Sequence, residues 1–271
     1  MKLFKLELHR AIINKWMAFA LMVTFIMCLI PVWNKYTYMR GFYEVANSGV
    51  DKVICTATPY ENWLLYDQID SMHYVYLFII PILVALPFGA SYYIDLKTGY
   101  IKQLVSRCGM KKYLLAKYTA TFISGGIVAA LPLLLQLMLL GLIFPVNKPQ
   151  RFGSMFFCET APGIDLYYEH PFAYCIIWCI IIFVVGGLLA TISLTVTNIA
   201  YNYFSIILTP FMFTFMLIFF VYITGKNEVS FLYSICAVTS NSYNYWIPIG
   251  EVIGVLFATS IPFLLGKKEV L

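Results

Sequence analysis

Charge is what this sequence has least of. Lys+Arg number 18 and Asp+Glu 13 in 271 residues, or 11%, less than half of the roughly 25% usual in soluble domains. Histidine occurs three times, as His9, His73 and His170. The three are widely scattered and fit no HExxH or related metal-ligand spacing. The apolar stretches hold no paired carboxylates, metal cluster or nucleophile motif, which disfavours an intramembrane protease or transferase. A P-loop is missing too. Gly225-Lys226 and Gly266-Lys267 lack both the upstream glycine and the following Ser or Thr of GxxxxGK[ST]. The chain is therefore expected to be no enzyme by itself and to bind neither metal nor cofactor; any ATP would be held by another subunit. Strand-like runs and internal repeats are absent as well.

What is present is apolar length. Hydrophobic residues make up 61% of the chain, which points to an all-α integral membrane protein. Nearly all of that length is needed for spans of about 20 residues, which leaves no room for a separate soluble catalytic domain. Six spans are expected, at 16–33, 73–94, 113–144, 171–197, 203–224 and 246–265. The third is over-long, and Gly125-Gly126 with Pro132 is expected to kink or tilt it. Pro81, Pro87, Pro210 and Pro262 also fall inside spans and mark bends whose freed carbonyls need partners from neighbouring helices. In 171–197 the Gly186-Gly187 pair and Thr191, Ser193, Thr195 and Thr197 point to close helix packing.

Orientation follows from the cations. With the N-terminus inside, twelve Lys and Arg fall on inner segments and six on outer ones, while only three acids (Glu7, Asp95, Glu269) are inside. The positive-inside rule then places both termini in the cytoplasm of a plasma-membrane protein. The net charge of +5 reflects this distribution and does not indicate nucleic-acid binding. Residues 1–15 resemble a secretory leader only superficially, because no small-x-small site follows the apolar run. They read as an amphipathic interfacial helix with Phe4, Leu8, Ala11 and Ile12 on one face and Lys2, Lys5 and His9 on another.

The outer segments are rich in Tyr, Phe and acids, suiting either amphipathic substrates or anchorage at the interface. Residues 226–245 include an apolar stretch too short to span, expected to form a re-entrant hairpin. Cys55 and Cys158 lie in the two long outer loops, where either a disulfide or free thiols fit. Cys175 and Cys179, at i and i+4 with no further ligand, are read as packing residues. Glu251, the one ionisable residue assigned to a span interior, is either an interfacial anchor or a substrate or gating group.

The most informative stretch is 95–117, which carries six of the eighteen cations. Ile101, Leu104, Val105 and Cys108 follow at i, i+3, i+4 and i+7, one stripe of a helix over 99–110. A short basic helix between two spans either lies on anionic lipid or docks onto a partner.

Together with the LFKLELHRAIINKW lead-in, SYYIDLKTGYIKQLVSRCGMKKYLLAKY resembles the permease half of an ABC-2 type ABC transporter. The matching residues are Asp95, Gly99, the Lys111-Lys112 cluster and Lys117 entering the third span; Asp95 stands where Glu is more usual. The resemblance implies a cytoplasmic coupling helix at 99–110, seated by its apolar stripe in one of two separate ATPase subunits that hold ATP and Mg. It also implies a second copy or sister permease. Among such permeases, small six-span chains resemble those of Gram-positive bacteria that export peptides or lipophilic antimicrobials, bacteriocin immunity included. Two rival readings stay open: a membrane subunit that senses or sequesters an antimicrobial, and an ion-coupled secondary transporter, for which more intramembrane ionisable groups are expected.

Overall fold

The computed structural model describes residues 2–46, 58–63, 72–149, 163–198 and 202–224. The expected sixth span, the re-entrant segment, Glu251, Cys55 and Cys158 lie outside the described residues.

Among the described residues every regular element is helical and none is a strand. In chain order they are α1 (Lys2–Ile12), α2 (Lys15–Ala46), α3 (Met72–Ala85), α4 (Ser91–Lys97), α5 (Tyr100–Cys108), α6 (Met110–Ile143), α7 (Ile164–Glu169), α8 (Pro171–Thr195) and α9 (Tyr203–Thr224). Three stretches are long and apolar enough to cross a membrane: Lys15–Tyr38 within α2, all of α6 and all of α8. Met72–Ala85 and Tyr203–Phe219 are apolar but shorter. This is the make-up of a membrane protein, because lipid demands that backbone polar groups be satisfied within the helix.

The core runs along the crossing of α6 and α8, where two glycine pairs face each other. A Cβ added to Gly125 would meet the Gly186 carbonyl oxygen at 2.9 Å, and one on Gly187 would meet the Phe122 carbonyl oxygen at 2.7 Å. Any larger residue would push the helices apart, so glycine here permits direct backbone approach. Thr191, Ser193 and Thr195 donate back to the Leu188, Ala190 and Ile192 carbonyls of their own helix. Their hydroxyls are satisfied locally, within their own helix. Cys175 and Cys179 are buried free thiols within this core. α6 continues through Gly125-Gly126 and Pro132 as one helix.

The expected second span differs. α3 stops at Ala85, residues 86–90 form a turn, and α4 begins at Ser91. Pro87 lacks an N–H, and a Cβ on Gly89 would lie 2.5 Å from the Ala85 carbonyl oxygen, so only a bare backbone fits this turn. The freed Pro87 carbonyl accepts from Asn14 Nδ2 at 3.1 Å. The same amide accepts from the Met17 N–H through Oδ1 at 2.7 Å, capping the start of α2. Asn14 thus fixes the α1–α2 corner and the α3–α4 break at one point.

Toward the other end of α6, Trp63 and Tyr167 from the connecting segments pack inward beside Tyr76 of α3 and Tyr174 of α8. Trp63 is fully buried and donates from Nε1 to the Leu133 carbonyl at 2.9 Å. Tyr76 donates to the Ala129 carbonyl at 2.6 Å. Tyr167 and Tyr174 meet edge-on with centroids 5.4 Å apart. Trp63 and Tyr167 are thus core residues, a third role beside the two open to aromatics of the outer segments in the sequence.

Candidate functional site

The basic end is built from α1, α4, α5 and the first turns of α6. Gly99 sits at φ 73°, ψ 2°, and Gly109 at φ 79°, ψ 149°; both are regions that side chains rarely enter. Nothing lies within 4 Å of a Cβ built on Gly99, so backbone conformation alone selects glycine there. The two glycines cut a nine-residue rung, α5, out of what would otherwise continue as helix. Gly99 is the break that the sequence motif marks. Gly109 was missed, although a glycine between a short and a long apolar pattern is a helix-break signal.

The apolar stripe of α5 is present but faces inward. Ile101 is 2% exposed, and it packs with Tyr92, Tyr113, Leu114 and Leu194 while Leu104 and Val105 close over that cluster. Cys108 is half-buried. So short a helix is not stable alone and is held by packing of its apolar side. Lys102, Gln103, Ser106 and Arg107 form the exposed side. A partner meeting α5 here therefore meets a polar, cationic surface, where the sequence suggested the apolar stripe.

Beneath the rung lies a group of four charges. Lys117 Nζ is 2.7 Å from both Glu7 Oε2 and Asp95 Oδ2. Arg10 reaches Asp95 Oδ1 through Nη2 at 3.0 Å and Glu7 Oε1 through Nη1 at 3.1 Å. Glu7, Asp95 and Lys117 are 0–1% exposed, and only Arg10 reaches the surface, at 35%. Two cations and two carboxylates make the quartet neutral, the condition under which charges tolerate burial. Tyr113 donates its hydroxyl to Asp95 Oδ2 at 2.6 Å. The Phe88 ring lies 4.4 Å from the Lys117 ammonium, and the Arg10 guanidinium sits 5.0 Å from the Tyr100 ring centre. The four residues tie α1 to α4 and α6, and Arg10 carries the tie on to α5.

Burial works against the Asp95 carboxylate, but Lys117, Arg10 and the Tyr113 hydroxyl more than offset it, holding its pKa below the usual carboxylate range. Burial likewise opposes the Arg10 charge, and the Asp95 hydrogen bond and neighbouring carboxylates outweigh it, raising its pKa.

The motif residues Asp95 and Lys117 thus meet across α4 and α6, while Lys111 and Lys112 stay exposed. On α1, Ala11 and Glu7 are buried, Phe4 and Leu8 half-buried, and Ile12 is 39% exposed. The ion pairs and the Ala11 contact together set the face of α1 that packs inward. Lys117, buried inside α6, is an ionisable residue within an apolar helix.

Glu7 and Asp95 are the only acids in 2–15 and 91–119, and both are buried in the quartet. Lys5, Lys15, Lys97, Lys102, Arg107, Lys111 and Lys112 are exposed. Among the described residues, the outer skin of this end thus carries one sign of charge.

No protein-family model matches the sequence, and neither a curated protein nor a solved structure matches it.

Proposed function

We propose that this chain is the transmembrane permease subunit of an ATP-driven exporter of the ABC-2 type, in the plasma membrane with both termini cytoplasmic. The carrying observation is α5: a rung set between two positive-φ glycines, packed inward by its apolar side and open to a partner on its basic side. The quartet beside it supports the same reading. A push on a loose connector would be absorbed by the connector. A push on α5 passes through Tyr100 and Arg10 into α1, and through Ile101 and Tyr113 into α6.

In this account two ATPase subunits hold ATP and Mg, and a second copy or a sister permease completes the pore. ATP binding closes the ATPase pair, moves the α5 rungs and shifts the bundles; hydrolysis resets them. The driving force is the different affinity of nucleotide for the two ATPase arrangements. Amphipathic peptides or lipophilic antimicrobials are the substrate class that the resemblance to small six-span permeases implies.

The test is purification of the full chain from native membranes with its neighbours. An ATPase should co-purify with the native chain and be lost from the double variant Lys102→Glu/Arg107→Glu, whose changes touch only the exposed side. Leu104 and Val105 are poorer probes, since they face the core. Recovery of the chain with no nucleotide-hydrolysing partner would overturn the proposal.

A further inference from the structure

A groove of about 640 Å³ opens between α1, the end of α5 and the start of α6. Its walls come from Leu3 and Phe4 of α1, Arg107 of α5, and Lys112, Leu115 and Thr119 of α6. The volume lies in the range of small-molecule sites, roughly 300–1,000 Å³. Polarity is graded along it. Lys112, Leu115 and Thr119 follow at i, i+3 and i+7 on one face of α6. The cation stands at the helix end, and the apolar residues lie further along toward the middle of the span. Leu115 is 59% exposed, which is costly in water and ordinary in a bilayer. Arg107 joins Lys112 at the mouth, and among the described residues of α1, α4, α5 and α6 no acid is free to pair with either, because Glu7 and Asp95 are taken up by the quartet.

From this geometry we infer that the groove is a binding site for one anionic phospholipid of the adjacent leaflet. The phosphate lies between Arg107 and Lys112, and an acyl chain runs along Phe4 and Leu115. Charge complementarity selects the head, and the apolar length selects an amphiphile over a free phosphate ester. Bound there, the lipid would wedge α1 against α6 beside the quartet. The inference rests on the membrane character of the chain and not on the exporter reading, and no ATPase enters its test.

The full chain, purified in a neutral detergent, is titrated with phosphatidylglycerol, phosphatidylcholine or water-soluble glycerol phosphate, and retained adducts are counted by native mass spectrometry. Phosphatidylglycerol should be retained in preference to phosphatidylcholine. Arg107→Ala/Lys112→Ala should weaken it about thirtyfold, at about 1 kcal/mol per cation. Lys97→Ala/Lys102→Ala, which removes equal charge outside the groove, should change it less than about twofold. Leu115→Glu should also weaken retention, with both cations in place. Equal losses from the two double variants would mean diffuse attraction and overturn the site. So would equal retention of phosphatidylcholine, or displacement by glycerol phosphate at matched concentration.

Discussion

α6 is held at two places by opposite means. Along its middle, Gly125 lies against Gly186 of α8, and Gly126 and Gly187 against the Phe183 and Phe122 carbonyls of the facing helix, with the Thr191 and Ser193 hydroxyls satisfied inside their own helix. At its start, Lys117 is clasped by two carboxylates from α1 and α4. The seam depends on shape and tolerates no added atom. The quartet depends on charge balance and tolerates no subtracted one. Contact between bare backbones fixes two helices in one place. An ion cluster fixes partners brought from distant parts of the chain, and it removes from the surface the acids that would spoil a cationic face.

The largest effect should come from unbalancing the quartet. Lys117→Met leaves Glu7 and Asp95 facing each other in a buried site, and loss of one partner of such a group costs about 3–5 kcal/mol. Thermal unfolding in detergent should show a large drop in midpoint. Glu7→Gln added to Lys117→Met should recover part of it, because one uncompensated charge disappears.

The seam should fail by the reverse route. Gly125→Val places methyl groups where Ala190 and the Gly186 carbonyl already stand, and such overpacking costs about 1–3 kcal/mol. Gly141→Val, in the same helix with only Val146 Cγ2 at 4.0 Å from a Cβ, should be tolerated. Equal sensitivity at the two glycines would break the distinction between seam and ordinary helix surface.

Acid sharpens the comparison between the two ends of α6. The Asp95 pKa is lowered in the folded chain, so its contribution is present above the ordinary value near 3.9 and is lost as pH falls through the folded value. Glu61, at the aromatic end, is raised by burial, which the Thr58 amide and hydroxyl only partly offset. Its contribution is present at low pH and is lost as pH rises through the folded value. A pH series of unfolding midpoints should therefore lose its acid limb in Asp95→Asn, and Glu61→Gln should gain stability near neutrality.

The smallest effect belongs to the rung. Gly99→Ala meets no atoms but must hold φ 73°, at about 1–2 kcal/mol for an L side chain. Unfolding should shift slightly, whereas a matched change at Gly141, which has no positive φ, should not carry this penalty.

The spanning helices were legible in the sequence because unbroken apolar length is a local property. α2, α6 and α8 stand where the runs predict them. The Gly186-Gly187 packing was legible too, since small residues inside a span have few other uses. The break at 86–90 was legible only as a bend at Pro87; that the helix stops there was not, because Leu86 and Phe88 are themselves apolar and continue the run. The quartet was hidden for a different reason. Arg10 and Asp95 are 85 residues apart, and Glu7 and Lys117 are 110 apart, so composition records four ordinary charges and nothing of their meeting. The motif marked Asp95 and Lys117 without saying that they touch. On α5 the stripe was read correctly as a stripe, and the direction it faces became plain only from the packing of Ile101 against Tyr113 and Leu114.

The clasp of α1 onto α6 is tested most directly by a double-mutant cycle on Glu7 and Lys117. Unfolding free energies are needed for the native chain, Glu7→Gln, Lys117→Met and the pair. A contact like the one at 2.7 Å predicts a coupling of about 0.5–3 kcal/mol, the double variant losing less than the two single losses combined. Additive losses would mean that the N-terminal helix is not clasped at Lys117, and the account of how the basic end is held together would be contradicted.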